Sequence, residues 1–448
     1  MATLIEQQYI ASHPGSAERH ERAKHMFPNG VTHDARRQNP FQLYYTHATG
    51  AHKYDVDGND VIDFWSGHGS LILGHSNPEI VKVVQDQMAK GTHLSGSTDL
   101  EIRWGELVQE MIPSAEKVRF HSSGTEADMM AIRMARAYTG KSKIIKFEDH
   151  FHGWSDYVSA DADGIGGIPK EALQTVIVLP PNDISIIEQT LQSNDDVAAI
   201  ILEPTGAHMG LEPILPSFLT ELREITTKYG VVLIFDEVVT GFRISDGGAQ
   251  AYYGVTPDLT TLAKILGGGL PGGAVCGKAE IINMIEPRDD PDFNKNRRIA
   301  HNGTFNANPL SASSGIKALE ILKRDPINQR AIEMGSLLKR SLNDVLSRQE
   351  VPGCVSGVNS LIHVRLGTDH DCDHEICILS KDEMSKTTNS ARNAQLNLAL
   401  LNNGVHSGTR FIMSAFHTEE DISKTADAFA NALNDLSLIH ISEPTRPY

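Results

Sequence analysis

The chain has 448 residues, too many for one small core, and its length predicts two or three domains. Its 40% hydrophobic and 22% charged residues are typical of a globular protein and exclude a disordered or fibrous one. The net charge of −17 argues against nonspecific nucleic-acid binding. We find no targeting signal, no membrane-length apolar stretch and no disulfide-like cysteine pattern, so we expect a cytoplasmic protein with reduced thiols.

The predicted elements fall into four segments. Residues 1–75 are polar and aromatic, and YDVDGNDVIDF predicts two short strands joined by a turn. In residues 76–330 the strand-like runs KIIKF, TVIVL, AAIILEP and VVLIFDE alternate with helical patterns, which predicts a large α/β domain with a mainly parallel sheet. Residues 331–436 predict a second, α+β lobe. Residues 437–448 break the helical pattern and contain two prolines, and we interpret them as a non-native tail.

Three sites along the large segment suggest one chemistry. The sequence SSGTEA at 122–127 follows a short strand and opens a helix, where backbone N–H groups favour an anion. Asp236 ends an apolar strand, and Lys264 stands just before a run of three glycines. Each has an ordinary alternative: a small-residue turn, a solvated acid, a surface lysine. Together they supply what pyridoxal-5'-phosphate (PLP) requires, namely a phosphate anchor, a partner for the pyridinium and an amine for a Schiff base.

Longer motifs carry a family resemblance. SGTEADMMAIRMARAYTG, FEDHFHGW, IILEP, LIFDEVVTGFR, PDLTTLAKILGGGLPGGA, HNGTFNANP and SAFHTEED occur in order between about residues 27 and 421. In these motifs the chain resembles the class III aminotransferases of PLP-dependent fold type I, and within them the branch that contains glutamate-1-semialdehyde 2,1-aminomutase. The resemblance implies a large domain with a mainly parallel sheet and a smaller α+β domain built from both termini.

The resemblance also implies roles for individual residues. Lys264 would carry the cofactor and act as the base, and Asp236 would pair with the ring nitrogen. Phe151 would stack on one face of the ring and Val238 would cover the other. The remaining residues expected to bind the cofactor are Ser123, Gly124, Thr125, His152 and Glu203. Thr304 matches a residue that reaches the phosphate of the neighbouring subunit, which implies a homodimer with shared sites.

The sequence departs from the family pattern in two places. Val239 stands where many relatives have a glutamine that bonds the phenolic oxygen of the cofactor, and we expect His208 to be the substitute donor; a histidine satisfied elsewhere is the alternative. The second is the stretch from Gly30 to Arg36, which keeps an arginine that the aminomutases have while the residues around it differ. Arg36 is the candidate for the substrate carboxylate, because its fork can bind both oxygens; a surface ion pair is the alternative.

The C-terminal motif bears on the reaction type. GVHSGTRFIMSAFHTEED is shorter than the aminomutase counterpart and carries Arg410 instead of an acidic residue. We therefore expect a transaminase that moves an amino group between an amine or amino acid and a keto acid or other carbonyl compound, via pyridoxamine phosphate. The alternative is an aminomutase of the glutamate-1-semialdehyde type. A non-catalytic binding protein of the same fold is disfavoured by Lys264.

Two further clusters of polar residues have ordinary explanations. The histidines and cysteines at 370, 372, 374 and 377 have no standard zinc spacing, so we expect a solvated loop and no metal. Asp128 lies where relatives have Thr, Asn or an apolar residue. With His121 it could form a second, hydrolytic set that uses one of the serines Ser70, Ser122 and Ser123, although ordinary variation is the better explanation.

Overall fold

The computed structural model describes residues 2–161, 164–368, 376, 377, 379 and 381–442. The chain forms two compact units. Unit one comprises the residues up to His68, the segment Ile72–Asn77 and the residues from Gln329 onward. Unit two comprises Gly69–Leu71 and Pro78–Asn328. The domain boundaries near residues 75 and 330 stay predictions.

The strands, in chain order, are β1 Tyr45–Thr49, β2 His52–Asp55, β3 Asp60–Asp63, β4 Lys117–His121, β5 Lys143–Phe147, β6 Val176–Leu179, β7 Val197–Leu202, β8 Glu212–Pro213, β9 Val232–Asp236, β10 Leu259–Ala263, β11 Gly273–Gly277, β12 Gly353–Ser356, β13 Leu361–Leu366, β14 Val405–His406 and β15 Arg410–Ile412.

The helices, in chain order, are α1 Leu4–Ser12, α2 Pro14–Lys24, α3 Ser66–Gly69, α4 Pro78–Met88, α5 Asp99–Met111, α6 Gly124–Thr139, α7 Lys170–Leu173, α8 Ile184–Ser193, α9 Ala207–Gly210, α10 Pro216–Tyr229, α11 Gly248–Tyr253, α12 Ala279–Ile282, α13 Pro291–Asn296, α14 Pro309–Arg324, α15 Ile327–Arg348, α16 Lys381–Thr387, α17 Ser390–Asn402 and α18 Glu419–Ser442. Within the described residues, every helix is too short or too polar to cross a membrane.

Unit one contains two small sheets. The strands β1, β2, β3 and β14 form the first, in that order, with β14 parallel to β3. The antiparallel strands β12, β13 and β15 form the second. The predicted hairpin in YDVDGNDVIDF is confirmed as β2 and β3. Helix α18 continues to Ser442, so the predicted end of the helical pattern at residue 437 is wrong by several residues.

Unit two is built on a seven-stranded sheet in the order β4-β11-β10-β9-β7-β5-β6. The neighbours from β10 to β6 are parallel, whereas β11 is antiparallel to both β10 and β4. Strand β4 therefore runs in the same direction as β10. All strands except β11 end at one edge of the sheet, and this confirms the predicted mainly parallel α/β fold.

Both faces of this sheet are buried. Alternate side chains point to opposite faces: Ile234 packs in the cluster that includes residues of α6, and Phe235 packs in the cluster that includes residues of α8 and α10. Every residue of β7 and β9 is buried. This burial explains why these strands are continuous apolar runs rather than alternating ones.

Candidate active site

The residues singled out in unit two follow successive strand ends. Asp236 is the last residue of β9, Lys264 follows β10 directly, and Glu203 follows β7 directly. Ser123 lies two residues after β4, and His152 follows β5 by five residues. Because these strands are parallel, their carboxyl ends bring side chains from distant parts of the sequence to one edge.

The Asp236 carboxylate is buried and held by two donors. One oxygen, Oδ2, lies 2.7 Å from Nδ1 of His152, and Oδ1 accepts the backbone N–H of Val238 at 3.0 Å. The Nε2 atom of His152 is buried and has no hydrogen-bond partner among the residues that the structure describes. The carboxylate is therefore fixed in orientation, and it can still accept a further donor because a carboxylate offers about four acceptor positions.

Lys264 is partly buried and begins a short turn with a positive φ of 50°. Such a backbone angle is strained for a residue with a side chain and is found mainly at functional sites. Burial lowers the pKa of the Lys264 amine, and the charges of Asp236 and Glu203 oppose that shift. Its Nζ makes no hydrogen bond or ion pair among the described residues. A lysine in such surroundings can lose its proton and act as a nucleophile.

The N-terminus of α6 forms a cup for an anion. The hydroxyl of Ser123 accepts the N–H of Glu126 at 3.3 Å, and the Glu126 carboxylate accepts the N–H of Ser122 at 2.7 Å. A Cβ on Gly124 would lie 2.9 Å from both methyl carbons of Val238. Glycine at position 124 therefore lets Val238 pack against the start of α6, and a helix N-terminus favours a phosphate.

Glycines from two other elements close around the cup. A Cβ on Gly273, the first residue of β11, would lie 2.3 Å from the carbonyl oxygen of Ser123. A Cβ on Gly153, whose φ is +83°, would lie 2.4 Å from Oγ1 of Thr125. The backbone is thus packed closely against both Ser123 and Thr125.

Sequence reasoning missed two residues of this edge, His150 in the loop after β5 and Thr205 after β7, and His150 organises its loop. Nδ1 of His150 accepts the N–H of Glu203 at 2.9 Å, and Oε1 of Glu203 accepts the N–H of Phe151 at 2.9 Å. Burial holds the pKa of His150 well below its usual range, so it stays neutral and can accept this bond. The hydroxyl of Thr205 is buried, without a hydrogen-bond partner in the described part of the chain. Their positions beside the FHG and EP motifs were the available signal.

These residues fit PLP. The cofactor needs an anion cup, a carboxylate for its ring nitrogen and a lysine for its aldehyde, and unit two supplies α6, Asp236 and Lys264 along one sheet edge. The Phe151 ring is 68% exposed, and Val238 lies against Gly124. The unpartnered His152 Nε2 and Thr205 hydroxyl offer further polar contacts at the same edge.

Two predicted cofactor residues are exposed. The side chain of His208 is exposed in a left-handed turn with φ 53°. Thr304 is exposed, and its carbonyl oxygen accepts from Nε2 of His93 at 2.6 Å. Their roles stay predictions.

The two predicted substrate arginines belong to unit one. Arg36 is exposed and donates from Nη1 to Oγ1 of Thr32 at 3.1 Å. Arg410 begins β15, where it pairs with His363. Arg36 lines a cavity of about 920 Å³ in this unit.

This cavity carries a marked excess of positive charge. Among the described residues, its charged lining consists of one carboxylate, Asp63, and a larger set of basic groups: Arg19, Arg22, Arg36, Arg37 and Lys53. Asp63 is already bonded to Lys53 at 2.9 Å and to His75 at 2.7 Å. The arginines are thus left to favour an anionic ligand.

Two minor hypotheses have different outcomes. Asp128 accepts a hydrogen bond from Thr261, and the His121 ring lies against that of His301, with 4.6 Å between ring centroids. Among the described residues His121 and Asp128 share no hydrogen bond, so the proposed hydrolytic set is not assembled. Residues 370, 372 and 374 lie outside the described residues, and Cys377 is buried beside Cys354.

Comparisons with known proteins agree on the family. Residues 33–433 match the family model described as aminotransferase class-III. The chain is 41% identical over 359 residues to a protein of Methanothrix thermoacetophila named glutamate-1-semialdehyde 2,1-aminomutase, over 78% of this chain and 81% of that protein.

Solved structures with other activities in their titles are also similar. An omega-transaminase from Sphaerobacter thermophilus has a TM-score of 0.86 and 35% identity, over 96% of this chain and 99% of that one. A β-phenylalanine aminotransferase from Variovorax paradoxus has a TM-score of 0.84 and 28% identity, over 97% of each chain.

The close approach of Gly273 to Ser123 generates a prediction. Gly273→Ala should lower stability by about 1–3 kcal/mol, because the new methyl group meets backbone atoms that cannot rotate away, and it should weaken PLP binding by displacing the cup. Gly105→Ala is the matched control: its Cβ would meet only the Phe120 ring at 3.9 Å. Urea unfolding and PLP titration would measure both variants, and equal stability of the two would contradict the packing argument.

Proposed function

The chain belongs to the class-III aminotransferases, and on that basis we propose that it moves an amino group from an amine or amino-acid donor to a keto acid or other carbonyl acceptor. Its cofactor is PLP, which this family uses. The observation that carries the proposal is the convergence of Lys264, the Asp236–His152 pair and the N-terminus of α6 at one sheet edge.

When bound, PLP supplies a protonated ring that accepts the electron pair left behind when the substrate carbon loses its proton. We assign to Asp236 the task of keeping the proton on the ring nitrogen. Its two other bonds, from His152 and from the N–H of Val238, hold the carboxylate in one orientation.

Lys264 is the proposed base. The lowered pKa of its amine favours the neutral form, which alone can take a proton from the substrate carbon. Its Nζ has no partner among the described residues, so no hydrogen bond has to break before it moves the proton. Ser123, Gly124 and Thr125 would hold the phosphate through the cup, with Phe151 and Val238 on the two faces of the ring and Glu203 fixing the Phe151 backbone.

The substrate class follows from the basic cavity of unit one. We propose that Arg36 binds the substrate carboxylate, since the cavity that it lines has several cations and a single, already paired carboxylate. Arg410, at the start of β15, is the proposed second anion-binding residue. An enzyme with two such residues can take a dicarboxylic amino acid as donor or its keto acid as acceptor. His208 remains the proposed donor to the phenolic oxygen.

Transaminase and aminomutase are the two candidate reactions. The names of relatives such as the Methanothrix protein favour an aminomutase. The short connection between β14 and β15, residues 407–409, and the arginine that follows it favour a transaminase, because a transaminase must release its first product and a mutase must retain it. We propose the transaminase. Thr304 supports a homodimer in which each copy completes the phosphate site of the other.

Lys264→Ala tests the assignment of the lysine. The variant should lose turnover entirely and leave no PLP bound to the chain after borohydride reduction and denaturation, because no other lysine has been placed at the ring. Lys170→Ala, at an exposed lysine that begins α7, is the control and should retain both properties. Recovery of reduced cofactor on the Lys264→Ala chain by mass spectrometry would show that another lysine forms the bond.

Arg36→Ala tests the substrate class. The variant should lose about 1.5–3 kcal/mol in kcat/KM for carboxylate substrates, roughly ten- to hundredfold, because a charge-assisted bond is removed. A donor amine without a carboxylate should be affected little. Arg36→Lys retains the charge without the fork and should fall between. An equal loss for both donor types would mean that Arg36 supports the fold instead.

A half-reaction distinguishes the two candidate reactions. Adding an amino donor alone to the holoenzyme should convert PLP stoichiometrically to its amino form and release a carbonyl product; an added keto acid should then restore the original spectrum. Absorbance and product analysis measure both steps. Efficient isomerisation of glutamate-1-semialdehyde, with no transfer to any added keto acid, would identify an aminomutase and leave the PLP assignment intact.

A further inference from the structure

Asp128 is a buried acid near the same site, and the proposed reaction assigns it no role. It lies in the second turn of α6, and only 2% of its surface is exposed. Its Oδ1 accepts the hydroxyl of Thr261 at 2.6 Å. Among the described residues no arginine, lysine or histidine forms an ion pair with it. A buried carboxyl group without a cation is costly unless it carries a proton.

The sheet places Asp128 on the same face as Asp236. Thr261 of β10 and Asp236 of β9 are paired in the parallel ladder, so their side chains lie on one face, about 4.8 Å apart at the backbone. Asp236 follows Ile234 by two residues, and Ile234 packs in the cluster that contains residues of α6. The carboxyl of Asp128, bonded to Thr261, therefore lies on the same side of the sheet as the carboxylate of Asp236, and the two groups interact electrostatically.

The electrostatic surroundings keep a proton on Asp128. Burial is the main cause that raises its pKa well above the usual range, and the charge of Asp236 is the next. Glu203 acts in the same direction, while the Thr261 bond and the charge of Lys264 act against it. A neutral Asp128 also removes the conflict of an acid in the helix that is to bind a phosphate at its N-terminus.

We propose that Asp128 is a proton-bearing positioning residue whose O–H faces Asp236 and lowers the basicity of that carboxylate, so that the proton stays on the ring nitrogen of PLP. The hydrogen remains bonded to Asp128 throughout. A more basic Asp236 would draw the ring proton toward itself and make the ring a weaker electron acceptor. This inference rests on the proposed function, because it acts through the pairing of Asp236 with the ring.

Glu237, the next residue after Asp236, is a buried carboxyl group with a structural role, and its hydrogen bonds provide a comparison for Asp128. It is fully buried and accepts four hydrogen bonds, from the Thr240 hydroxyl, the N–H groups of Ala249 and Gln250, and the Gln250 side chain. Burial raises the pKa of Glu237 as well, and these four bonds oppose that shift. Among the described residues Asp128 makes only the Thr261 bond. Loss of the carboxylate should therefore destabilise the protein at Glu237 and stabilise it at Asp128.

The first test measures stability against pH. Burial raises the pKa of Asp128 in the folded protein above its unfolded value of about 3.8. The acid therefore costs no folding stability below about pH 3.8, and the stability that it costs grows as the pH rises toward the folded-state pKa. The thermal midpoint of Asp128→Asn should exceed that of the wild-type holoenzyme, by more at pH 9 than at pH 5. Glu237→Gln should lower the midpoint throughout, because its amide would face hydrogen-bond donors.

The second test measures the cofactor spectrum against pH. The visible band of the lysine-bound cofactor should change form at a pH about one unit higher in Asp128→Ala than in the wild type, and less than that in Asp128→Asn, whose amide is a weaker donor. A less protonated ring makes the bound nitrogen of Lys264 more basic, which sets this direction. The single-turnover rate with an amino donor should fall about tenfold in Asp128→Ala.

The outcomes separate the two proposals. If the thermal midpoint of Asp128→Asn lies below that of the wild type at every pH, Asp128 carries no proton. If the visible band of Asp128→Ala changes form at the wild-type pH or at a lower one, Asp128 does not act through Asp236. Either result overturns the inference. If wild-type protein with PLP shows no such band, the cofactor assignment fails and the role at Asp236 fails with it, whatever the stability profile shows.

Discussion

The active site depends on one constraint of the large sheet: every strand except β11 ends at the same edge. Four site residues are far apart in the sequence, but each follows or ends a strand of this sheet. They lie at one edge because β4, β7, β9 and β10 run in the same direction; the residues are Ser123, Glu203, Asp236 and Lys264. The same convergence crowds the backbone. Gly124 and Gly273 stand where a single methyl group would strike Val238 or Ser123, and the anion cup exists because these positions have none.

The ionisable groups at this edge of the sheet differ in how many hydrogen bonds they make, and this number distinguishes structural groups from those available to a ligand. Glu237 has four donors, and such a fully bonded carboxylate has little capacity left for a ligand. Asp236, one residue earlier, has two and retains room for a ring N–H. Among the described residues Lys264 makes none, and burial lowers the pKa of its amine. The incompletely bonded groups are the ones that a bound cofactor would complete.

The sequence predicted the parallel sheet, the anion cup and the roles proposed for Lys264 and Asp236, because continuous apolar strands and short motifs are local patterns. It did not predict the strand order. The insertion of β11 between β4 and β10 brings Gly273 against the cup, and the pairing of β9 with β10 brings Thr261 beside Asp236. The Asp128–Thr261 bond joins residues 133 positions apart, and no local pattern encodes it. The left-handed turn that leaves His208 exposed was equally invisible, since a positive φ at a histidine has no reliable sequence signal.

The choice between transaminase and aminomutase cannot come from this sheet edge, since both reactions need the same proton transfers at a lysine and the same support of the ring nitrogen. They differ in what happens to the first product. An aminomutase needs side chains that bind the carbonyl product tightly, whereas a transaminase needs this binding to be weak or absent. The features that we propose for that difference are Arg36, Arg410 and the short β14–β15 connection, all in unit one. Similarity in the motifs of unit two can therefore be high between enzymes of either kind, and on this proposal the two reactions diverge in the basic cavity that Arg36 lines.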